Sequence, residues 1–235
     1  MSVWKKITIV ILCFSLICGF CIFIANEPIN ISTYSYNQTL SSVIIDAGHG
    51  GFDGGAVVGD VFEKDINLKI ANTLALMLRS YGIKVIQIRT DDSSVENDPS
   101  LTISARKKSD MQNRLNVAKN NPNSLYVSIH LNKFPLTSAK GAQIFYGIRS
   151  EESSALAENI RSSVISLTQN DNKRALKKGT KSTYILYYSP IPTVIVECGF
   201  MSNPTELKLL LDENYQQKIS FAIFKGIIDF YGSDK

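Results

Sequence analysis

The sequence predicts an α/β fold in a single domain, with a mostly parallel central sheet covered by helices on both faces. Short runs of β-branched and apolar residues alternate along the chain with longer amphipathic segments, which is the pattern of strand–helix–strand units. Glycine-rich or polar segments separate these runs. The length of 235 residues, with 44% hydrophobic and 20% charged residues, suits one globular domain with a short extra segment.

An apolar segment precedes the predicted domain. Lys5 and Lys6 are followed by an uncharged run from Ile7 to Ala25, which is nearly long enough to cross a hydrocarbon layer of about 30 Å. We predict an N-terminal hydrophobic helix in residues 1–26 that acts as a signal anchor, with a cleaved signal peptide as the alternative. The flanking lysines predict an extracytoplasmic protein, either anchored to the outer face of the cytoplasmic membrane or secreted.

Residues 27–41 read as a polar linker, and residues 42–235 as the folded domain. Of the four cysteines only Cys198 lies in this domain, which excludes an intramolecular disulfide there. The net charge of +4 is mild, and the cationic cluster between Lys173 and Lys181 is interpreted as a solvated loop, with contact to an anionic polymer as the alternative. Nothing resembles a nucleic-acid-binding module, so we expect no nucleic acid partner.

The predicted strands are short apolar runs bounded by turn residues. They cover residues 42–46, 83–88, 125–129, 141–146 and 193–196. The predicted helices cover residues 65–81, 104–120, 151–167 and 203–231, the last with a break near residue 212. In the first helix, Ile66, Ile70, Leu74 and Leu78 recur at helical spacing.

The start of the last helix carries a capping signal. Asn203 is the predicted N-cap, Pro204 the first helical residue and Glu206 the capping-box partner. These three residues together predict where the helix begins.

The sequence has only two histidines, and each follows a predicted buried strand. His49 comes after the first strand and His130 after the third, while Glu197 follows the strand at residues 193–196. Because the carboxyl ends of parallel strands meet at one edge of a sheet, we expect these three side chains to lie near one another. They suit metal binding or acid–base chemistry.

Catalytic zinc takes three nitrogen or carboxylate ligands and leaves one position open for water. Two histidines and one acid would satisfy this requirement. By position alone the acid could be Glu63, Asp46 or Asp53. The glycine-rich loop around His49 fits neither the dinucleotide-binding nor the phosphate-binding loop pattern, so we reject a nucleotide site.

Four segments in order resemble the zinc-dependent N-acetylmuramoyl-L-alanine amidases of the Amidase_3 family. They are IDAGHGG from residue 45, Glu63-Lys64, SIHLN from residue 128, and VECGFMSN from residue 196. The resemblance covers nearly all of residues 42–231. It implies zinc (Zn2+) ligands at His49, Glu63 and His130, and a catalytic carboxylate at Glu197.

The resemblance also implies the substrate, which is the amide bond between N-acetylmuramic acid and L-alanine in peptidoglycan. The short chain and its apolar N-terminus are most similar to the small family members of the spore cortex, which prepare muramic acid for δ-lactam formation in spore maturation. Arg114 occupies a position where the family often has arginine. Its role could be structural support or substrate binding, and the sequence does not decide between the two. Asn132 is a second candidate for substrate binding.

Two rival functions are weighed against this one. A related zinc peptidase would cut within the stem peptide. A non-catalytic, membrane-anchored wall-binding protein would keep the fold without turnover, although the intact set of His49, Glu63, His130 and Glu197 argues against it. A protein partner is left open by the sequence.

Overall fold

The structure is a computed structural model that describes residues 4–5, 41–96 and 98–232. Its strands are β1 (Ser42–Ala47), β2 (Val57–Val58), β3 (Val61–Phe62), β4 (Val85–Gln87), β5 (Ser124–Asn132), β6 (Gln143–Tyr146), β7 (Lys177–Lys178) and β8 (Thr193–Phe200). Its helices are α1 (Glu63–Ser80), α2 (Ile103–Lys119), α3 (Glu152–Leu167), α4 (Tyr184–Tyr188), α5 (Pro204–Leu211) and α6 (Glu213–Gly232).

Six strands form one sheet in the order β4–β1–β5–β8–β6–β7. The neighbours among β4, β1, β5 and β8 are parallel, and β6 runs antiparallel to β8. The predicted mostly parallel sheet is therefore confirmed. Because β1, β5 and β8 are adjacent and parallel, their carboxyl ends lie side by side at one edge, where α/β sheets bind ligands.

Helices cover both faces of the sheet, as predicted, but they cover them unequally. One face packs against α1, α3, α5 and α6 in a large apolar core. The other face packs mainly against α2 and α4. Its buried apolar cluster has four members, Ile44, Ala118, Tyr126 and Ile191. Near the carboxyl edge of this thin face, Ile195 and Glu197 are only partly buried, although both belong to a central strand.

Two strands extend beyond their predicted ends. β5 continues past Ile129 to Asn132, and β8 continues past Val196 to Phe200. His130 and Glu197 are therefore register partners within two adjacent strands, and do not mark the ends of those strands as predicted. The physical reason is that backbone pairing does not depend on side-chain polarity, so a strand can continue through residues that the apolar pattern excludes.

The other predicted elements are found with boundaries displaced by at most two residues. The break in the last helix is also confirmed, since Asp212 ends α5 and its Oδ1 accepts hydrogen bonds from the first turn of α6. Three short elements are missed by the sequence analysis, namely the β2–β3 hairpin, β7 and α4. Each is too short to show a period of its own.

The capping of α5 is confirmed only in part. Asn203 Oδ1 accepts hydrogen bonds from the backbone N–H groups of Thr205 and Glu206, at 3.0 and 3.2 Å. The capping box itself is wrong, because the Glu206 carboxylate accepts instead from the N–H groups of Gly141 and Phe200, each at 2.7 Å. These contacts with residues distant in sequence replace the predicted capping-box contact between Glu206 and the backbone of Asn203.

The predicted hydrophobic helix of residues 1–26 and the polar linker of residues 27–41 lie almost entirely outside the described residues. Among the helices that the structure describes, none combines the length and the apolar composition that a membrane span needs. The anchor therefore stays a prediction.

Candidate metal centre

His49 lies in the glycine-rich loop that follows β1, with a left-handed backbone conformation (φ 63°) that is uncommon for a residue with a side chain. Two contacts hold it there. Its Nδ1 is 2.8 Å from Asp53 Oδ2, and its carbonyl oxygen accepts a hydrogen bond from Arg114 Nη2 at 2.8 Å. The imidazole is thereby turned so that Nε2 lies 3.3 Å from Glu63 Oε2.

Glu63 is the first residue of α1, and its carboxylate is buried. Oε1 lies 3.0 Å from His130 Nδ1 and accepts a hydrogen bond from the N–H of Leu131, while Oε2 accepts one from the N–H of Ala56. Burial alone would raise the pKa of Glu63, but hydrogen bonds with His130 and His49 hold that pKa well below its ordinary value. The side chain is therefore a buried, ionised carboxylate between two imidazoles.

His130 projects from β5 directly above the backbone of Gly48. A Cβ atom at position 48 would lie 2.2 Å from ring atom Cε1 of His130, so only glycine fits there. The ring also meets His49 edge to face, with the two centroids 4.9 Å apart. The glycine that follows Ala47 thus lets both imidazoles converge on Glu63.

One ligand atom from each of His49, Glu63 and His130 lies within 4.8 Å of the other two, so the three residues could hold a metal ion. His49 Nε2 lies 3.3 Å from Glu63 Oε2 and His130 Nδ1 lies 3.0 Å from Glu63 Oε1, so the two imidazoles approach different oxygens of one carboxylate. Catalytic zinc sites use three nitrogen or carboxylate ligands of this kind. Two imidazoles and one carboxylate fit a catalytic zinc site.

The two aspartates that compete with Glu63 by position have other partners. Asp53 contacts the far nitrogen of His49, and Asp46 pairs with Arg114 below the loop. A carboxylate on the second nitrogen of a ligating histidine fixes the tautomer and orientation of the ring. Glu63, and neither aspartate, thus lies between the two imidazoles, and the carboxylate of Asp53 lies on the far side of the His49 ring.

Glu197 lies beside the metal centre, as the register partner of His130 on the neighbouring strand. Its Oε2 is removed from solvent and has no hydrogen-bond partner among the described residues. Burial raises the pKa of Glu197 to about 7. A carboxyl group with a pKa near neutrality next to a metal-binding cluster is suited to take up and release a proton.

Residues 43–229 match the Amidase_3 family, which is described as N-acetylmuramoyl-L-alanine amidase. The chain belongs to this family. The germination-specific N-acetylmuramoyl-L-alanine amidase of Bacillus subtilis (strain 168) is 34% identical over 204 residues, which are 86% of this chain and 85% of that protein.

Solved structures agree. The CwlD amidase from Clostridioides difficile, in complex with the GerS lipoprotein, is 38% identical with a TM-score of 0.79, over 83% of this chain and 100% of that chain. An N-acetylmuramoyl-L-alanine amidase from Clostridium difficile 630 is 28% identical with a TM-score of 0.70, over 84% and 100% of the two chains. The predicted peptidoglycan amidase activity and the likeness to CwlD-type members are thus confirmed.

Arg114 of the amidase is buried under the loop that carries His49. Its guanidinium pairs with Asp46 and Asp110 and donates to the carbonyl oxygens of Ala47 and His49. Burial alone would raise the pKa of Asp46, but Arg114 and the hydroxyls of its neighbours keep that pKa below its ordinary value. Of the two roles left open for Arg114, these contacts favour structural support, and substrate binding stays a prediction.

A second buried arginine, Arg89, is missed by the sequence analysis. It follows β4 and donates to four backbone carbonyls, those of Ala47 at 2.8 Å, Gly48 at 3.2 Å, Lys64 at 2.8 Å and Asp91 at 2.9 Å. It therefore ties the His49 loop to the start of α1. An arginine placed directly after a short apolar strand is the only signal of it in the sequence.

Asn132, the other residue predicted to bind substrate, is the last residue of β5 and is partly exposed. It lines a shallow depression together with Phe134, Arg174 and Phe200, next to the strand end that carries His130. The structure does not bring it into the metal-binding group. Contact with substrate at this rim remains a prediction.

Proposed function

We propose that the amidase is zinc-dependent, with His49, Glu63 and His130 as the metal ligands and Glu197 as the catalytic carboxylate. The observation that carries this proposal is the unpartnered buried oxygen of Glu197, which stands beside a preformed His–Glu–His group. A buried acceptor without a partner is costly, so it indicates a group whose partner is supplied by the bound reactants.

In this proposal each residue has a distinct task. Zinc, when bound, supplies a Lewis acid that polarises the scissile carbonyl and acidifies the hydrolytic water. Glu197 accepts the proton of that water and passes it to the departing nitrogen of L-alanine, first as general base and then as general acid. Asp53 keeps the ring of His49 oriented. The products are a glycan strand with free muramic acid and a released stem peptide.

Digestion of purified peptidoglycan tests the bond that is cut. We expect intact stem peptides with new amino-terminal L-alanine, in amounts equal to the freed muramic acid. A zinc peptidase acting within the stem would release shortened peptides and leave alanine on the glycan. A wall-binding protein without activity would bind the same material and release nothing.

We also propose that the amidase acts in spore cortex maturation, ahead of muramic-δ-lactam formation. Similarity to the germination-specific amidase of Bacillus subtilis over most of both chains supports this role. Spores of a strain that lacks the gene should then contain cortex without muramic-δ-lactam. Normal δ-lactam content in those spores would reject the cortex role while leaving the amidase activity untouched.

The location and partners follow from the same proposal. We place the amidase outside the cytoplasmic membrane, attached through the N-terminal segment or secreted, and in the spore envelope during sporulation. The complex of the Clostridioides difficile relative with a lipoprotein supports an exported protein partner for this chain. Copurification from sporulating cells with the full-length chain as bait would test it, and recovery of the bait alone would count against a partner.

A further inference from the structure

Asn67 is a polar side chain on a face of α1 that otherwise packs into the apolar core. It lies one helical turn after Glu63, and no part of it is exposed to solvent. Buried residues beside it on the helix are Ile66, Ile70 and Ala71, which belong to the large core. Buried polar side chains are normally kept because of the hydrogen bonds that they make.

The amide nitrogen of Asn67 joins two parts of the metal centre. Its Nδ2 donates one hydrogen bond to Glu63 Oε1 and another to the carbonyl oxygen of Gly48, each at 3.2 Å. Gly48 immediately precedes His49. The side chain therefore links the carboxylate of Glu63 to the loop that carries one of the two imidazoles, and both hydrogens of its amide group are used in this bridge.

The amide oxygen of Asn67, by contrast, is buried without a hydrogen-bond partner among the described residues. Turning the amide over would not remove this defect, because the oxygen would then meet two other acceptors, the Glu63 carboxylate and the Gly48 carbonyl. A buried acceptor without a partner lowers the stability of the fold. Leucine has nearly the same shape and no polar atom, so stability alone favours leucine at this position.

The backbone bonds to Glu63 do not replace the bridge. Oε1 accepts a hydrogen bond from the N–H of Leu131 at 3.0 Å, and Oε2 accepts one from the N–H of Ala56 at 2.8 Å. These bonds hold the carboxylate against β5 and against the segment that enters β2. Neither of them reaches the backbone directly before His49, whereas the bond from Asn67 to Gly48 does.

We propose that Asn67 is a positioning residue of the metal centre, which holds the Glu63 carboxylate against the His49 loop before a metal ion is bound. This inference rests on the proposed function, in which Glu63 and His49 are ligands of zinc. Asn67 acts through these residues and not on the substrate. A carboxylate and a loop that are already held in place lose less freedom on binding, so the bridge raises the affinity for the ion.

The first test replaces the amide by leucine in the full-length protein. Asn72→Leu, on the exposed side of the same helix, is the matched control. We expect the zinc affinity of Asn67→Leu, measured by competition with a chelator, to fall by about tenfold or more. The Tm of its metal-free form should equal or exceed that of the wild type, because the unpaired acceptor is gone. Wild-type affinity in Asn67→Leu would overturn the proposal, and Asn72→Leu should bind zinc as the wild type does.

The second test reports on the arrangement of the ligands. Co²⁺ can take the place of Zn²⁺, and its visible absorption bands depend on ligand geometry. At saturating cobalt we expect Asn67→Leu to differ from the wild type in the position or intensity of these bands, and Asn72→Leu to match the wild type. A residue that only stabilised the fold would leave the spectrum of the saturated protein unchanged, so identical spectra would overturn the positioning role.

Asn67→Ala covers the case in which the leucine side chain does not fit, since it removes the amide and adds no bulk. It should have a lower Tm because of the cavity that it leaves, but it should fold at 25 °C and lose as much zinc affinity as Asn67→Leu. If both variants are unfolded at 25 °C, Asn67 is required for the fold itself, and the proposal is overturned.

The outcomes separate this inference from the proposed function. If the wild type binds no zinc, the proposed function fails and the role of Asn67 fails with it. If the wild type binds zinc and cleaves peptidoglycan, while Asn67→Leu matches it in zinc affinity and in the cobalt spectrum, the amidase function stands and the positioning role is rejected.

Discussion

At the scale of single residues, His49 shows how the metal centre is held. Its Nδ1 contacts Asp53, and the other carboxylate oxygen of Asp53 contacts Lys107, so a chain of charged groups fixes the ring from the far side. Hydrogen bonds to Asp53 and Glu63 outweigh burial and raise the pKa of His49 to about 9 in the protein without metal. If His49 binds the metal as proposed, binding must displace that proton, and the contact with Asp53 keeps the ring in one orientation.

Asp53→Asn should therefore weaken zinc binding by about 10- to 100-fold, as is typical when the partner of a ligating histidine is altered. Competition with a chelator of known affinity measures the change. Asp60→Asn, which alters an exposed carboxylate in the β2–β3 turn, is the control and should bind zinc as the wild type does. An unchanged affinity in Asp53→Asn would contradict the supporting position given to Asp53.

The pair of Arg114 and Asp46 is predicted to matter for stability. Arg114→Met leaves the Asp46 carboxylate buried without its cation, which should lower the free energy of unfolding by roughly 3–5 kcal/mol. Chemical denaturation measures it. Lys225→Met breaks an exposed ion pair with Asp229 and should cost less than about 1 kcal/mol. If both variants lost the same small amount, Arg114 would not be the support described above.

The sequence predicts His49, His130 and Glu197 as site residues because each stands at the end of an apolar run. It cannot choose among Glu63, Asp46 and Asp53 by spacing. That choice depends on the path of the loop after β1, which is set by the left-handed backbone of His49 and by buried arginine contacts from distant parts of the chain. Such long-range contacts leave no local pattern.

At the scale of secondary structure, α3 and α6 pack with their backbones close together. A Cβ atom at Gly226 would lie 2.4 Å from Ile160 Cα, so the two backbones meet where there is no side chain. This contact lets α6 pack into the large core beside α1 and α3. It places the helix layer on the face of the sheet opposite to α2 and α4.

Gly226→Ala should lower the free energy of unfolding by about 1–3 kcal/mol or more, because the added methyl group meets backbone that cannot rotate away. Thermal unfolding followed by circular dichroism measures this loss. Gly232→Ala at the end of the same helix meets nothing within 4 Å and should be neutral or slightly stabilising. A neutral Gly226→Ala would mean that the two helices are farther apart than described.

Long elements with a clear period are predicted from the sequence to within two residues at each end. The exceptions have physical causes. β5 and β8 continue through polar residues because their backbones stay paired, and the short β2, β3, β7 and α4 depend on tertiary contacts for their existence. The Glu206 contact to Gly141 likewise joins segments that are distant in sequence.

At the scale of the whole molecule, the unequal cover of the sheet explains why the site lies where it does. A thick layer of α1, α3, α5 and α6 carries most of the apolar core, so the thin face can stay partly open without loss of the fold. His130 and Glu197 lie at the carboxyl edge of that thin face. Most of the apolar core therefore lies on the opposite face of the sheet.

Removal of zinc should consequently abolish activity and leave the fold intact. We expect an unchanged far-ultraviolet circular dichroism spectrum at 25 °C after dialysis against a chelator, with a lower Tm because the stabilisation from bound metal is lost. Re-addition of zinc should restore both activity and Tm. Unfolding of the metal-free protein at 25 °C would show that the fold is not stable without bound metal.

In the proposed mechanism His49, Glu63 and His130 bind zinc and Glu197 moves the proton. The most direct measurement is zinc content together with amide cleavage in the wild type and in Glu197→Gln, which keeps the shape of the side chain and removes its basicity. We expect one zinc per chain in both proteins and cleavage only in the wild type. Cleavage by both proteins, or absence of zinc from both, would contradict it.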